Sequence, residues 1–277
     1  MTGAEIAAAL APDGGVVALV TETRGSAPRA AGAAMVVTAT DARGTIGGGA
    51  VEHRVIAHAR AMLAGGEARA TLDFPLGPAL DQCCGGRMTV ALALVAAADA
   101  PRFARGAAAL WPDGPVFRDP PAPRPVFVYG AGHVGAALVR ALAPLPFAVR
   151  WIDARAGFTA GAPPGVSPVE TPLPEAEAAA APREALHLVL THSHALDLEI
   201  VAAALARGTA FVGLIGSATK RATFARKLRA RGLDPACLTC PIGLPGLHDK
   251  RPAVIAASVA AQMLLVDAAE ATRSSAA

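Results

Sequence analysis

The spacing of apolar and polar positions changes character along the chain. Residues 16–23 and 34–40 are nearly unbroken apolar runs, the pattern of buried strands, and a turn follows at Asp41-Ala42-Arg43-Gly44. Residues 4–10 and 50–63 space their apolar side chains like helices instead, with Val51, Val55, Ala59 and Met62 on one face of the second. Strands are expected again at 69–74 and 88–95, and Pro75 to Gly86 between them reads as a loop.

Beyond residue 125 strands and helices alternate. Strands are expected at 126–129, 148–152, 186–190 and 210–215, with helices at 133–142, 196–206, 219–231 and 253–266. That alternation marks βαβ units and a parallel sheet. The Ala/Pro-rich stretch 161–182 supports only a short strand near 166–169 and an alanine helix at 175–181. Seven prolines between residues 101 and 125 suggest a semi-rigid connector. The expected fold class is therefore α/β, an α+β domain at 1–100, a linker at 101–124 and a Rossmann-like parallel-sheet domain with a terminal helix at 125–277.

Composition changes this picture little. The 53% hydrophobic fraction rests on 69 alanines and only 4% aromatics, the imprint of a GC-rich genome and not a membrane signal. The longest charge-free runs, 125–139 and 252–266, hold 15 residues each, short of the roughly 20 a bilayer span needs. A net charge of +3 lacks the strong basic bias of nucleic-acid binding. No basic-then-apolar leader opens the chain, and four cysteines are too few for a disulfide scaffold. A cytoplasmic protein is expected, with a homodimer as its default assembly.

Candidate chemistry lies in the loops. Gly130-Ala131-Gly132-His133-Val134-Gly135 follows one strand and opens a helix, and Asp153 comes 18 residues after Gly135 at the next strand end. Glycines there let backbone approach a pyrophosphate, the helix N-terminus meets its charge, and the acid can hold a ribose diol. Either NAD(P) binds there or the glycines serve only helix–strand packing, and Arg150 and Arg155 leave NAD and NADP undecided. Cys83-Cys84, followed by Gly85-Gly86, cannot clamp one metal as a C-x-x-C pair does. Near Arg87 a thiolate there can be reactive, bind a soft metal or hold sulfur; inert buried side chains are the alternative.

Thr191-His192-Ser193-His194-Ala195-Leu196-Asp197 stands at the carboxyl end of an expected parallel strand, where α/β sheets bind ligands. His192 and His194 can bind metal or relay protons, or the segment can simply cap the next helix. Gly216-Ser217 precedes a helix with Lys220 and Arg221 in its first turn, which suits a terminus that receives an anion. Gly47-Gly48-Gly49, followed by Glu52, offers a second backbone nest. Cys237 and Cys240 form a C-x-x-C, but Pro241 follows and no second ligand pair is near, which argues against zinc.

These segments, taken in order, resemble the XdhC/CoxI family, the accessory proteins of xanthine dehydrogenase. The resemblance runs from about Val16 to Met263 and rests on Thr23–Arg29, Gly44–Gly49, Leu76-Gly77 with Gln82–Gly86, Gly130–Gly135, Thr191–Asp197, Gly213–Ser217 and Pro241–Leu244. It implies an accessory protein that acts as a carrier and not as an enzyme in the catalytic sense. Such a carrier binds molybdenum cofactor in its molybdopterin form, supports or protects its sulfuration with a cysteine desulfurase, and delivers it to apo-xanthine dehydrogenase. The implied contacts to the cofactor are Gly47, Gly48, Gly49, Cys83, Cys84, Gly85 and Gly86 in the first domain. In the second they are Gly130, Gly132, His133, Gly135, Asp153, His192, His194, Gly216 and Ser217.

Overall fold

The structure, a computed structural model, describes residues 1–76 and 85–275. It divides into two compact units, Met1–Pro121 and Ala122–Ala277. The first begins with α1 (Gly3–Leu10), β1 (Gly15–Arg24), β2 (Ala34–Val37) and β3 (Ala42–Gly44). It continues with α2 (Gly49–Leu63), β4 (Arg69–Leu76) and β5 (Gly86–Val95). The strands form an antiparallel sheet in the order β3-β2-β1-β5-β4.

The unbroken apolar start of β1 has a physical cause. Val16, Ala18 and Val20 pack with Val51, Val55 and Met62 of α2, while Val17 and Leu19 pack with Ile6 and Leu10 of α1 on the opposite face. A strand covered on both faces has no reason to alternate. Past Val20, where cover ends, half-buried and exposed positions do alternate.

The stretch 101–124 is no continuous linker. A 3-10 helix (Ala97–Arg105) and a hairpin of β6 (Ala107–Ala109) and β7 (Val116–Arg118) occupy most of it. Phe103, Leu110 and Phe117 are buried against the first unit's sheet, and Asp119 Oδ1 accepts the Gly3 N–H. Proline content misleads here because Pro101 sits inside the 3-10 helix and Pro112 and Pro115 lie in the hairpin's connection. Apart from Gly106 and the hairpin connection at 110–115, only residues 119–123 of this stretch lack regular structure.

The second unit runs β8 (Arg124–Tyr129), α3 (His133–Leu142), β9 (Phe147–Asp153), β10 (Ser167–Glu170), α4 (Pro174–Ala180) and β11 (Leu186–Val189). Then come α5 (His194–Arg207), β12 (Phe211–Leu214), α6 (Ala218–Arg229), β13 (Leu238–Thr239) and α7 (Pro252–Ser275). Its sheet is parallel throughout, in the order β10-β9-β8-β11-β12-β13. Counted within the unit this is 3-2-1-4-5-6, the Rossmann order, with its reversal between β8 and β11. Helices α3 and α7 cover one face, and α4, α5 and α6 cover the other.

The last helix extends past the expected end at residue 266, through Asp267 to Ser275. By length and composition Pro252–Glu270 could cross a membrane. Here Ala256, Val259, Ala260 and Met263 are buried with Leu138 and Leu142 of α3, and Arg124 reaches Asp267 at 3.6 Å and Glu270 at 2.5 Å. Those contacts account for one side of the helix as core packing, while Leu264 and Leu265 are exposed.

The turn between β8 and α3 depends on missing side chains. A Cβ at Gly130 would lie 2.3 Å from Leu190 O, and one at Gly135 would lie 2.0 Å from Gly130 O. Trp151 Nε1 donates to that same Gly130 oxygen at 3.2 Å, so the carbonyl has no room to retreat. Gly135→Ala is expected to cost about 1–3 kcal/mol through overpacking, read as a lower urea midpoint with unchanged slope; an unchanged midpoint would show that the turn yields.

Candidate functional site

Helix α3 begins at the reversal between β8 and β11, with Gly132 as N-cap and His133 exposed beside it. Asp153 ends β9 in the place expected of a ribose-binding acid, but its carboxylate is already engaged. Oδ2 accepts the Ala131 N–H at 2.6 Å, and Arg155 donates to it from Nη2 and to Oδ1 from Nε and its backbone N–H, each at 2.9 Å. Burial pushes the carboxyl pKa up, but the Arg155 and Ala131 hydrogen bonds outweigh it and hold Asp153 below the ordinary range. The Arg155 guanidinium lies 3.6 Å from the Phe158 ring centroid, which steadies this closed arrangement. Between Gly130, Asp153, Thr191 and His192 the crevice leaves no volume that a water-sized sphere can enter, far short of the roughly 300 Å³ at which ligand pockets begin.

One strand over, the opening is larger. Thr191, His192, His194, Gly216, Ser217 and Lys220 line a groove of about 370 Å³ at the ends of β11 and β12. His192 and His194 are exposed, and Ser193 between them caps α5 through Oγ, which accepts the Leu196 N–H at 3.4 Å. Ser217 caps α6 in the same way, accepting the Lys220 N–H at 3.2 Å. Asp197, expected to complete a metal or proton site with the histidines, is fully buried and faces elsewhere. Its Oδ1 accepts Thr191 Oγ1 at 2.7 Å and Thr191 N at 3.1 Å, and its Oδ2 accepts Lys220 Nζ at 2.7 Å. Among the described residues no group of three or more His, Cys, Asp or Glu could hold a metal ion.

In the first unit three loops meet at one end of the sheet. Gly85 bridges Ser26, and a Cβ at Gly86 would lie 2.1 Å from Ser26 O. A Cβ at Gly47 would lie 2.6 Å from Pro28 Cβ, so the glycine run packs on the same Arg24–Arg29 loop. Cys83 and Cys84 lie outside the described residues. Arg87, expected to lower a thiol pKa nearby, is paired through Nε with Asp73 Oδ1 at 2.7 Å.

The glycine nest carries its own anion. Glu52 Oε2 accepts Thr45 Oγ1 at 2.5 Å, Ile46 N at 3.0 Å and Gly48 N at 3.1 Å. Partial burial raises the Glu52 pKa, but these hydrogen bonds lower it further, so its contribution to stability is present above the ordinary glutamate pKa and is lost as pH falls through the lowered one. Glu52→Gln is expected to cost about 1.5–3 kcal/mol near neutral pH, with a smaller loss in acid. Equal losses at both pH values in urea titrations would contradict the charge-based account.

With the geometry described, the relationship to known proteins is direct. Residues 9–75 match the model of the XdhC and CoxI family, and residues 126–263 match that of the XdhC Rossmann domain. The chain belongs to the XdhC and CoxI family. Among relatives of this XdhC-type chain, the uncharacterized protein YqeB of Escherichia coli (strain K12) is 29% identical over 266 residues. That match covers 90% of this chain and 43% of YqeB, so the chain spans less than half of that relative's length. A crystal structure from Bacillus halodurans, described as a xanthine dehydrogenase, superimposes with a TM-score of 0.80 at 18% identity, covering 97% of this chain and 96% of that one. At such identity the likeness is one of fold.

Within this XdhC fold the sequence-chosen residues form separate groups. Gly130, Gly132, His133, Gly135 and Asp153 share the α3 turn, while His192, His194, Gly216 and Ser217 share the neighbouring groove. Gly47 joins Gly85 and Gly86 around the Arg24–Arg29 loop of the first unit, while Gly48 caps α2 and Gly49 begins it. Sequence reasoning did not foresee that Arg155 pairs with Asp153 or that Lys220 pairs with Asp197. The available signals were the unusual cation in the first turn of α6 and an acid inside the histidine motif. The C-x-x-C is unpaired: Cys237 and Cys240 are free thiols whose pKa values burial raises.

Proposed function

We propose that this chain is an accessory protein of xanthine dehydrogenase maturation, holding molybdenum cofactor and passing it to the apo-enzyme. The observation that carries the reading is the ordered match of both units to the XdhC and CoxI family and its Rossmann domain. The Bacillus halodurans fold neighbour, described as a xanthine dehydrogenase, agrees with it. A carrier must also give up its cargo. In the second unit His192, His194, Gly216 and Ser217 stand at the sheet end around an open groove, which suits release better than an enclosed pocket would.

Sulfuration of the cofactor with a cysteine desulfurase belongs to the same proposal, with Cys83 and Cys84 meeting the metal or the sulfur installed on it. So do homodimer assembly and action in the cytoplasm. An NAD(P)-dependent oxidoreductase is the competing reading, favoured by the strand order. The enclosure of Asp153 by Ala131 and Arg155 weighs against it.

The test is to purify xanthine dehydrogenase from cells with and without this chain. The expected result is enzyme poor in molybdenum and activity when the chain is missing, restored when it returns. Equal molybdenum and activity in both would overturn the role. Cys83→Ala with Cys84→Ala is expected to reduce cofactor retention and activation of the target; unchanged values would remove the thiols from the site.

A further inference from the structure

Lys220 and Asp197 form an ion pair at 2.7 Å although Asp197 is fully buried and only 12% of the Lys220 side chain is exposed. Taking both charges out of water incurs a desolvation cost that their attraction need not repay. What the pair achieves is placement. The ammonium is held between Asp197 Oδ2 at 2.7 Å and Ile215 O at 3.0 Å. An ammonium has three N–H donors, so one remains at the groove wall that Lys220 lines. The stem is guided too: a Cβ at Gly216 would lie 2.6 Å from Lys220 Cδ, so glycine leaves room for the stem to pass.

The same wall carries the Ser217 hydroxyl and two exposed imidazoles, His192 and His194, and no carboxylate lines it among the described residues. Donors converging from several side chains around a fixed ammonium match an anion whose oxygens point in several directions, as a phosphoryl group's do. At the neighbouring α3 turn the Ala131 N–H is already taken by Asp153.

We infer that the groove at the ends of β11 and β12 binds a phosphoryl group, with Lys220 as its charge and Asp197 as the residue that positions Lys220. This deepens the maturation reading and rests on it for the identity of the cargo, whose phosphate end lies here and not at the Gly130–Gly135 turn.

Inorganic pyrophosphate is the probe, titrated into the full chain and followed by calorimetry and by the imidazole proton resonances of His133, His192 and His194. The expected result is that His192 and His194 shift while His133 does not. Asp197→Asn with Lys220→Met, which removes both charges but keeps an acceptor for Thr191, is expected to weaken binding by roughly tenfold or more. A shift at His133 alone, no shift at any of the three, or undiminished affinity in the double variant would overturn the inference. The resonance experiment needs no variant at Lys220, so a folding failure there leaves it decisive. Cofactor retention without a pyrophosphate response would overturn this inference alone; pyrophosphate binding without cofactor retention would overturn the maturation reading alone.

Discussion

Asp197→Ala is expected to lower folding stability by about 3–5 kcal/mol, because it strands a mostly buried ammonium without its counter-charge. The substitution also frees Thr191, whose backbone N–H and hydroxyl both donate to Asp197 Oδ1. Two loops would loosen together, the one after β11 through Thr191 and the one after β12 through Lys220, whose ammonium also donates to Ile215 O. Lys220→Met alone should be costly for the complementary reason, since a fully buried carboxylate would lose its cation. Removing both charges, as Asp197→Asn with Lys220→Met, is expected to recover most of the loss, because buried ion pairs are often no more stabilising than neutral replacements. Urea unfolding of Asp197→Asn, Lys220→Met and the variant carrying both closes this cycle. Additive losses would contradict the pairing.

A second large effect should come from acid. His187, in the middle of β11, is fully buried, and Tyr129 Oη lies 3.0 Å from its Nδ1. The two rings stack with centroids 5.9 Å apart, Phe127 packs on the imidazole at 5.5 Å, and Nε2 has no partner among the described residues. Burial pulls the His187 pKa down to about 4 from an ordinary 6.5 and pushes the Tyr129 phenol up. The unfolded chain therefore takes up a proton that the folded chain refuses across that interval. Stability from this site is complete above pH 6.5 and falls as pH drops toward 4, by about 3 kcal/mol in all. His187→Leu with Tyr129→Phe removes the titration without leaving an unpaired hydroxyl. The double variant is expected to lose about 3 kcal/mol less than the parent chain over the same interval. Identical pH dependence in the two proteins would show that His187 charges within the fold.

How far the sequence revealed the molecule depended on the range of the interactions. The β8–Gly130–α3 segment was readable because strand, turn and helix are consecutive, and Gly130 and Gly135 answer contacts at the adjoining strand end and within the segment. The short strand β10 and helix α4 were found in a poor-looking stretch for the same reason, since β-propensity and alanine content act locally. Residues 101–118 were misread because what orders them is remote. Phe103 and Phe117 become structural only when they meet Ile6, Leu10 and Leu19.

The site followed the same division. Asp153 stood where a ribose acid belongs, but nothing in its spacing announced that Arg155 would return to occupy it. Glu52 was visible beside the glycine run, yet whether that run awaits an anion or already holds one is decided by the fold of the loop. Asp197 and Lys220 are 23 residues apart and meet only because β11 and β12 are neighbours in the parallel sheet.

The proposed carriage of molybdenum cofactor by this chain can be decided by equilibrium dialysis of the full chain against isolated cofactor. The account predicts that molybdenum and pterin fluorescence are retained with the protein in equal amounts and are released when apo-xanthine dehydrogenase is added. Free passage of the cofactor, with no excess on the protein side of the membrane, would contradict it.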